Sequence, residues 1–267
     1  VQERHLEPKL SDIWPMLREE SRSASMNEPM LASFYHASIL NHSSFRAAIS
    51  FHLANKLDSQ AVPSMLIRQV FEEAMLADPA IETAMVADIF AYRDRDPACD
   101  KYSMPFLYYK GFHALQAYRI AHWLWRAERE SLALYLQNLI AEVFGVDIHP
   151  GAQIGQGIMI DHANGVVVGE TAIIEDNVSM LHSVTLGGSG CGTGQRHPKI
   201  RQGVLISAGA KILGDIEVGE GAKVGAGSVV LESVAAHTTV AGVPAKVVGR
   251  PKAAQPALEM DHRLGDQ

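Results

Sequence analysis

The strongest constraint in this chain is a six-residue period. Ile148, Ile154, Ile160, Val166, Ala172, Val178 and Val184 follow one another at that interval, and the interval returns at Ile200, Ile206, Ile212, Val218, Val224 and Val230. An apolar residue opens each unit and Gly often stands second, as in Ile154-Gly155, Val218-Gly219 and Val224-Gly225. Small residues take the fifth place at Ala152, Ala210, Ala222 and Ser228. Such a pattern fits short flat strands joined by tight corners around a narrow apolar interior, a parallel β-helix with about 18 residues per three-strand coil. Between Val184 and Ile200 the register breaks: the gap holds one unit plus ten residues. Those ten are assigned to a loop at about 187–199, in the Gly-rich stretch GGSGCGTGQRHPK.

Composition divides the chain at the same place. All 18 aromatic residues lie at or before Phe144, and 21 of the 22 glycines lie at or after Gly145. The first part carries apolar residues at helical spacing, such as Leu132, Leu136, Leu139, Ile140 and Val143, so it reads as five or six helices, the last from about Leu132 to Phe144. Pro29, Pro63, Pro79 and Pro105 stand near the starts of such stretches. The expected fold is α+β: an α-helical domain over 1–144, a β-helix domain over 145–250, and a C-terminal tail over 251–267. The aromatic stretch PFLYYKGFHALQAYRIAHWLW reads as helix–helix contact.

A net charge of −7 gives nucleic-acid phosphates no general attraction. No 18-residue apolar run or hydrophobic leader is present, so membrane insertion and secretion lack a sequence basis. Cys99 and Cys191, the two cysteines, form no CxxC pair, which argues against a disulfide framework and for a reducing cytoplasm. Cys191 reads as an incidental thiol in the inserted loop. The solenoid histidines, His149, His162, His182, His197 and His237, include no His-x4-His pair, and a catalytic metal is not expected.

Function must come from polar residues that interrupt the repeat. These are Asp147 with His149, Asp161-His162, Glu170, and Arg196-His197 in the loop, with Asp96 in RDRDP as a contribution from the helices. Asp147 and His162 are 15 residues apart, close to one coil, so adjacent turns would allow a carboxylate–imidazole dyad suited to general-base work. Alone, His162 reads more readily as a surface or stacking residue, Glu170 equally as a turn charge, and Arg196-His197 ordinarily as solvated loop residues. His149 at the second place and His182 at the fifth place of their units read mainly as structural.

The segments RDRDPACDKYS, KGFHALQAYRIAHWLW, VDIHPGAQIGQGIMIDHANGVVVGET, SVTLGGSG, RHPKI and AGVPAKVVG together resemble the bacterial serine O-acetyltransferases, across nearly the whole chain. The resemblance implies left-handed winding, and direct acetyl transfer from acetyl-CoA to the hydroxyl of L-serine in cysteine biosynthesis, with no tightly bound cofactor. It implies His162 as base and Asp147 as its orienting acid, Asp96 and Asp161 at the serine ammonium, Arg196 and His197 at its carboxylate, and Glu170 in support. Backbone at Ala208 and Ala226 would meet acetyl-CoA, and Lys246 fits either a phosphate contact or a solvated face. Exposed amides in TLGGSG are candidate oxyanion donors. The resemblance further implies trimers through the β-helix, hexamers through the helices, and feedback inhibition by L-cysteine. Enzymes of this kind bind O-acetylserine sulfhydrylase through a C-terminal peptide ending in Ile. This sequence ends HRLGDQ, with Gln267 last, a departure from that pattern that leaves this partner open. Two rival readings are an acetyltransferase for another hydroxyl or amine acceptor, and a silent β-helix scaffold.

Overall fold

A computed structural model describes residues 10–190 and 193–264, so Cys191 and Gln267 lie outside the described residues. Six helices of more than ten residues precede Gly145 among them: α1 (Leu10–Asn27), α3 (Phe45–Lys56), α4 (Ser64–Ala77), α5 (Pro79–Arg95), α7 (Lys110–Arg126) and α8 (Glu130–Phe144). Two shorter helices lie between them, α2 (Ala32–Tyr35) and α6 (Ser103–Tyr108). Local sequence sets several starts. Ser44 accepts from the Ala47 amide at 3.2 Å, and Asp78 accepts from the Ala80 amide at 3.1 Å with Pro79 at the first helical position. None of the described helices is long and apolar enough to cross a membrane.

From β1 (Val146–Ile148) the chain winds through parallel strands of two or three residues, and each coil gives one strand to each of three sheets. The first coil is completed by β2 (Gln153–Ile154) and β3 (Met159–Ile160), and the second by β4 (Val166–Val168), β5 (Ile173–Ile174) and β6 (Ser179–Met180). The third has β7 (Thr185–Gly187), β8 (Lys199–Ile200) and β9 (Leu205–Ile206), and the fourth β10 (Lys211–Leu213), β11 (Glu217–Val218) and β12 (Lys223–Val224). Then β13 (Val229–Val230) and β14 (Thr239–Gly242) follow, and β15 (Ala245–Gly249) closes the last sheet antiparallel to β14.

Strand register corrects the phase read from the sequence. Ile148 pairs with Val168, Ile154 with Ile174 and Ile160 with Met180, a spacing of 20 residues rather than 18. The next sheet-facing residue after Ile160 is therefore Val168, and two extra residues lie in the corner 161–165. Val166, Ala172, Val178 and Val184 kept the six-residue count only by moving to a second inward place two residues earlier, which is equally buried. Ile174 then pairs with Ile200, 26 residues on, so the loop adds eight residues and the corner the other two. In this phase His182 shares the third place with His162 instead of standing fifth, because Ile160 and Met180 are directly paired.

The helices cover the open edge of the first coil. Asp88 accepts from the Ile158 amide at 2.9 Å, Arg119 donates to the Gly155 carbonyl at 2.7 Å, and His122 donates to the Pro150 carbonyl at 2.7 Å. Tyr92 Oη donates to the Ile160 carbonyl at 2.8 Å and accepts from its amide at 3.1 Å, while Tyr118 Oη donates to the Ala152 carbonyl. Strand groups that lack a neighbouring coil are thereby satisfied. This explains Gly111, the one glycine before residue 145: a Cβ there would stand 2.0 Å from the Ile160 carbonyl oxygen. The tail folds back across the third sheet. The short α9 (Pro256–Glu259) is held by Ser179 Oγ donating to the Ala257 carbonyl at 2.9 Å, and His262 Nδ1 meets Ser207 Oγ at 2.8 Å.

Candidate active site

The two extra residues at 161–165 form a bulged corner. His162 and Ala163 both take left-handed backbone, with φ of 57° and 60°, which L-residues adopt at a cost. Ala163 is buried beneath the turn, and this projects His162 outward with its side chain 70% exposed. Its nearest carboxylate is Asp161, with Oδ2 3.5 Å from Nε2. The ring of His182, one coil on, lies edge-on to it with centroids 5.8 Å apart.

Asp147 projects from the middle of β1, half-buried, and its Oδ1 accepts from Gln137 Nε2 at 2.7 Å. No hydrogen bond or ion pair joins Asp147 to His162 among the described residues. Asp96 ends α5, where Oδ1 accepts from the Ala98 amide at 2.8 Å. Its carboxylate stands beside the Tyr109 hydroxyl, whose pKa is raised by burial first and then by Cys99 and Asp96. Tyr109 packs edge-on against Tyr92, and Tyr92 holds Ile160 next to Asp161, so Asp96, Asp161 and His162 occupy one neighbourhood.

Glu170, Arg196 and His197 form a second group at the next corner of the solenoid. Arg196 pairs with Glu170 Oε2, and this bond holds the Glu170 carboxyl below its usual range. His197 is buried. The Thr171 amide donates to its Nδ1 at 3.2 Å and Thr171 Oγ1 lies 2.9 Å from the same nitrogen, so the ring proton belongs on Nε2. Burial first, then Arg196, lowers the His197 pKa and keeps the ring a neutral donor near pH 7. Gly169 makes the seat: a Cβ there would meet His197 Nε2 at 2.0 Å. His149 joins this group, with Nδ1 accepting from the Gly151 amide at 3.0 Å, its ring edge-on to Trp125, and its pKa lowered by burial.

The two groups sit at opposite ends of β4, with Gly165 at one end and Gly169 at the other, a separation of about 13 Å at the usual rise per residue. Ala208, Ala226 and Lys246 belong to the His162 side. Register stacks positions 164, 182, 208 and 226 in one column, since the Asn164, His182 and Ala208 carbonyls accept in succession from the Ser183, Gly209 and Gly227 amides, and the bulged turn sets His162 beside the near end of that column. Ala208 is half-buried, Ala226 exposed, and exposed Lys246 pairs with Ala241 beside the column's far end. Thr171, Gln137, Tyr92 and Tyr109 were not singled out from the sequence; ordinary helix and turn positions gave no signal for them.

Residues 13–117 match the family model described as "Serine acetyltransferase, N-terminal", and residues 197–232 match "Bacterial transferase hexapeptide (six repeats)". A serine acetyltransferase of Salmonella typhimurium is 60% identical over 256 residues, covering 96% of this chain and 94% of its own length. The chain belongs to the serine acetyltransferase family. It is accordingly an acyltransferase, and its solenoid is the left-handed parallel β-helix of hexapeptide repeats. The crystal structure of serine acetyltransferase from Vibrio cholerae superposes with a TM-score of 0.94 at 58% identity, covering 95% of this chain and 98% of that one. A serine acetyltransferase in complex with cysteine gives 0.94 at 54% identity, covering 96% and 99%. Another, in complex with CoA, gives 0.87 at 55%, covering 90% and 100%.

Proposed function

We propose that this chain moves the acetyl group of acetyl-CoA to the hydroxyl of L-serine by direct attack, giving O-acetyl-L-serine and CoA. The observation that carries the reading is near-full-length identity to a serine acetyltransferase combined with a projecting imidazole, His162, above a carboxylate. His162 takes the serine hydroxyl proton as the oxygen attacks the thioester carbonyl. Collapse of the tetrahedral intermediate breaks the C–S bond, and the imidazolium returns the proton to the CoA sulfur. Asp147, fixed by Gln137, stabilises that imidazolium once the exposed His162 ring turns toward it.

Asp96 and Asp161 hold the serine ammonium. Arg196, backed by Glu170, and the donor Nε2–H of His197 hold its carboxylate. One serine cannot bridge the roughly 13 Å between the two corners, so the site closes between two copies, the loop corner of one meeting the His162 corner of the next. This supports trimers packed through the β-helix. The helical part over 1–144 would join trimers into hexamers, a role supported by exposed Met26, Met30, Met65, Leu66 and Leu76. CoA lies along the column at Ala208 and Ala226 with Lys246 at its end. L-cysteine, with the same ammonium and carboxylate, competes at the serine site, a reading supported by the cysteine complex of a relative.

The test is thiol release from acetyl-CoA with and without L-serine, with mass detection of product, beside His162→Ala. Serine-dependent O-acetylserine formation that falls about 10²–10⁴-fold in the variant, with assembly retained, is the expected result. An assembled wild-type protein that makes no O-acetylserine overturns the reading.

A further inference from the structure

Asp96, assigned above to the serine ammonium, forms no ion pair among the described residues. It ends α5, where the last carbonyls of the helix are unpaired and a further negative charge is disfavoured. Two arginines stand close before it in the chain, and both are committed elsewhere. Arg95 donates to Ser179 Oγ at 3.0 Å and to Asn177 Oδ1 at 3.1 Å, and Arg93 lies over the Tyr102 ring. The carboxylate thus keeps its full charge for a ligand, and something other than a cation must hold it in place.

The group beside it is the Tyr109 hydroxyl, together with the buried Cys99 thiol. Cys99 Sγ donates to the Lys101 carbonyl at 3.5 Å, and a carboxylate can only accept, so the hydroxyl proton goes to Asp96. With the Ala98 amide on Oδ1 at 2.8 Å, two donors fix the carboxylate. Tyr109 is itself held: it stands between α6 and α7, and its ring packs edge-on against Tyr92 with centroids 5.6 Å apart. Tyr92 in turn bonds both backbone groups of Ile160, the residue before Asp161. The two acids come from different elements, and Tyr109 touches the first while resting on the anchor of the second. We propose that Tyr109 is a positioning residue for the acceptor: its hydroxyl holds the Asp96 carboxylate at a fixed place relative to Asp161, so that one ammonium meets both acids. A neutral donor does this without cancelling the charge the ammonium needs, whereas an arginine there would compete with it. The assignment rests on the acetyl-transfer reading above.

Tyr109→Phe removes the hydroxyl and keeps the ring against Tyr92. The readouts are kcat, the KM for serine and the KM for acetyl-CoA, measured beside Asp96→Asn and the double variant. The expected result is a serine KM about tenfold higher in Tyr109→Phe, with kcat and the acetyl-CoA KM within about twofold of wild type. Asp96→Asn raises the serine KM by itself, and adding Tyr109→Phe to it changes that value less than about twofold, because the hydroxyl acts through the carboxylate. A serine KM unmoved by either single variant overturns the proposal, as does the same rise from Tyr109→Phe with and without Asp96→Asn. A fall in kcat matched by a rise in the acetyl-CoA KM also overturns it, since that marks a loosened structure. If wild type makes O-acetylserine and His162→Ala does not, any of these outcomes removes the Tyr109 assignment alone. If wild type makes none, the acetyl-transfer reading falls and this assignment with it.

Discussion

Single residues in this protein are fixed by the close approach of a second element, and that makes their substitution readable. Gly169 exists to admit the His197 ring, which Thr171 clamps from behind. Gly169→Ala forces the ring or β4 to move, at about 1–3 kcal/mol of overpacking. If His197 holds the serine carboxylate, the serine KM rises about tenfold, the equivalent of about 1.4 kcal/mol, with a smaller change in kcat. An unchanged serine KM in a folded variant would remove His197 from the carboxylate site. The buried pair of Arg119 and Asp88 makes a different prediction. Arg119 donates to Asp88 Oδ2 at 2.7 Å with the carboxylate wholly buried, so Arg119→Met leaves that charge to Gln116 and one amide. The loss expected in urea unfolding is about 3–5 kcal/mol. A loss below about 1 kcal/mol would mean that the pair is dispensable to the interface.

Among the elements, the helices carry a buried titration of their own. His52 on α3 and His113 on α7 lie 5.2 Å apart in the aromatic core, both buried. Burial lowers the His52 pKa to about 3, with Lys56 adding to it, and lowers His113 as well. In the unfolded chain both titrate near 6.5. The unfolded state therefore binds more protons below pH 6.5, and stability, fully present above that value, falls as the pH drops toward the folded pKa. Two such groups together give a slope of about 2.7 kcal/mol per pH unit once well below 6.5. Thermal melting of wild type and of His52→Leu/His113→Leu across pH 7 to 4.5 checks this: the double variant should show the shallower dependence, and parallel curves refute it. The elements also show where the sequence was legible. Helical spacing gave five or six helices before residue 145 and placed the last of them, and the hexapeptide count found the solenoid, because both depend on near-neighbour periodicity. The same count misread the phase at Ile160. The inward places come in pairs two residues apart, so a two-residue insertion moves the pattern from one to the other without a visible break. Asp161 and His162 stood out as polar interruptions. Thr171 and Gln137 did not, since their roles arise from contacts 26 and 10 residues away in the sequence.

For the whole molecule, the helices and the solenoid depend on each other at one surface. The first coil ends all three sheets, so its strands have hydrogen-bonding partners on one side only. Asp88, Tyr92, Tyr118, Arg119 and His122 supply the other side from α5 and α7, and Gly111 lets α7 come close enough. An unpaired parallel edge is a template for further strands, and this one is shielded by groups remote in sequence. A fragment spanning 145–264 keeps every hexapeptide yet loses that cover, including the helix that fixes Asp147 through Gln137. Removal of the helices should therefore produce polydisperse aggregates with parallel-β infrared signatures, even though the repeat itself is intact. Tyr92→Phe in the full chain is the milder form of the same test: one buried hydroxyl and its two bonds to Ile160 are lost, for about 1–3 kcal/mol. Because Ile160 leads directly into Asp161 and His162, kcat should fall in that variant more than in Tyr118→Phe, which loosens Ala152 at the neighbouring corner instead. Equal kcat in the two variants at equal melting temperature would show that the cover stabilises the edge without steadying the His162 turn.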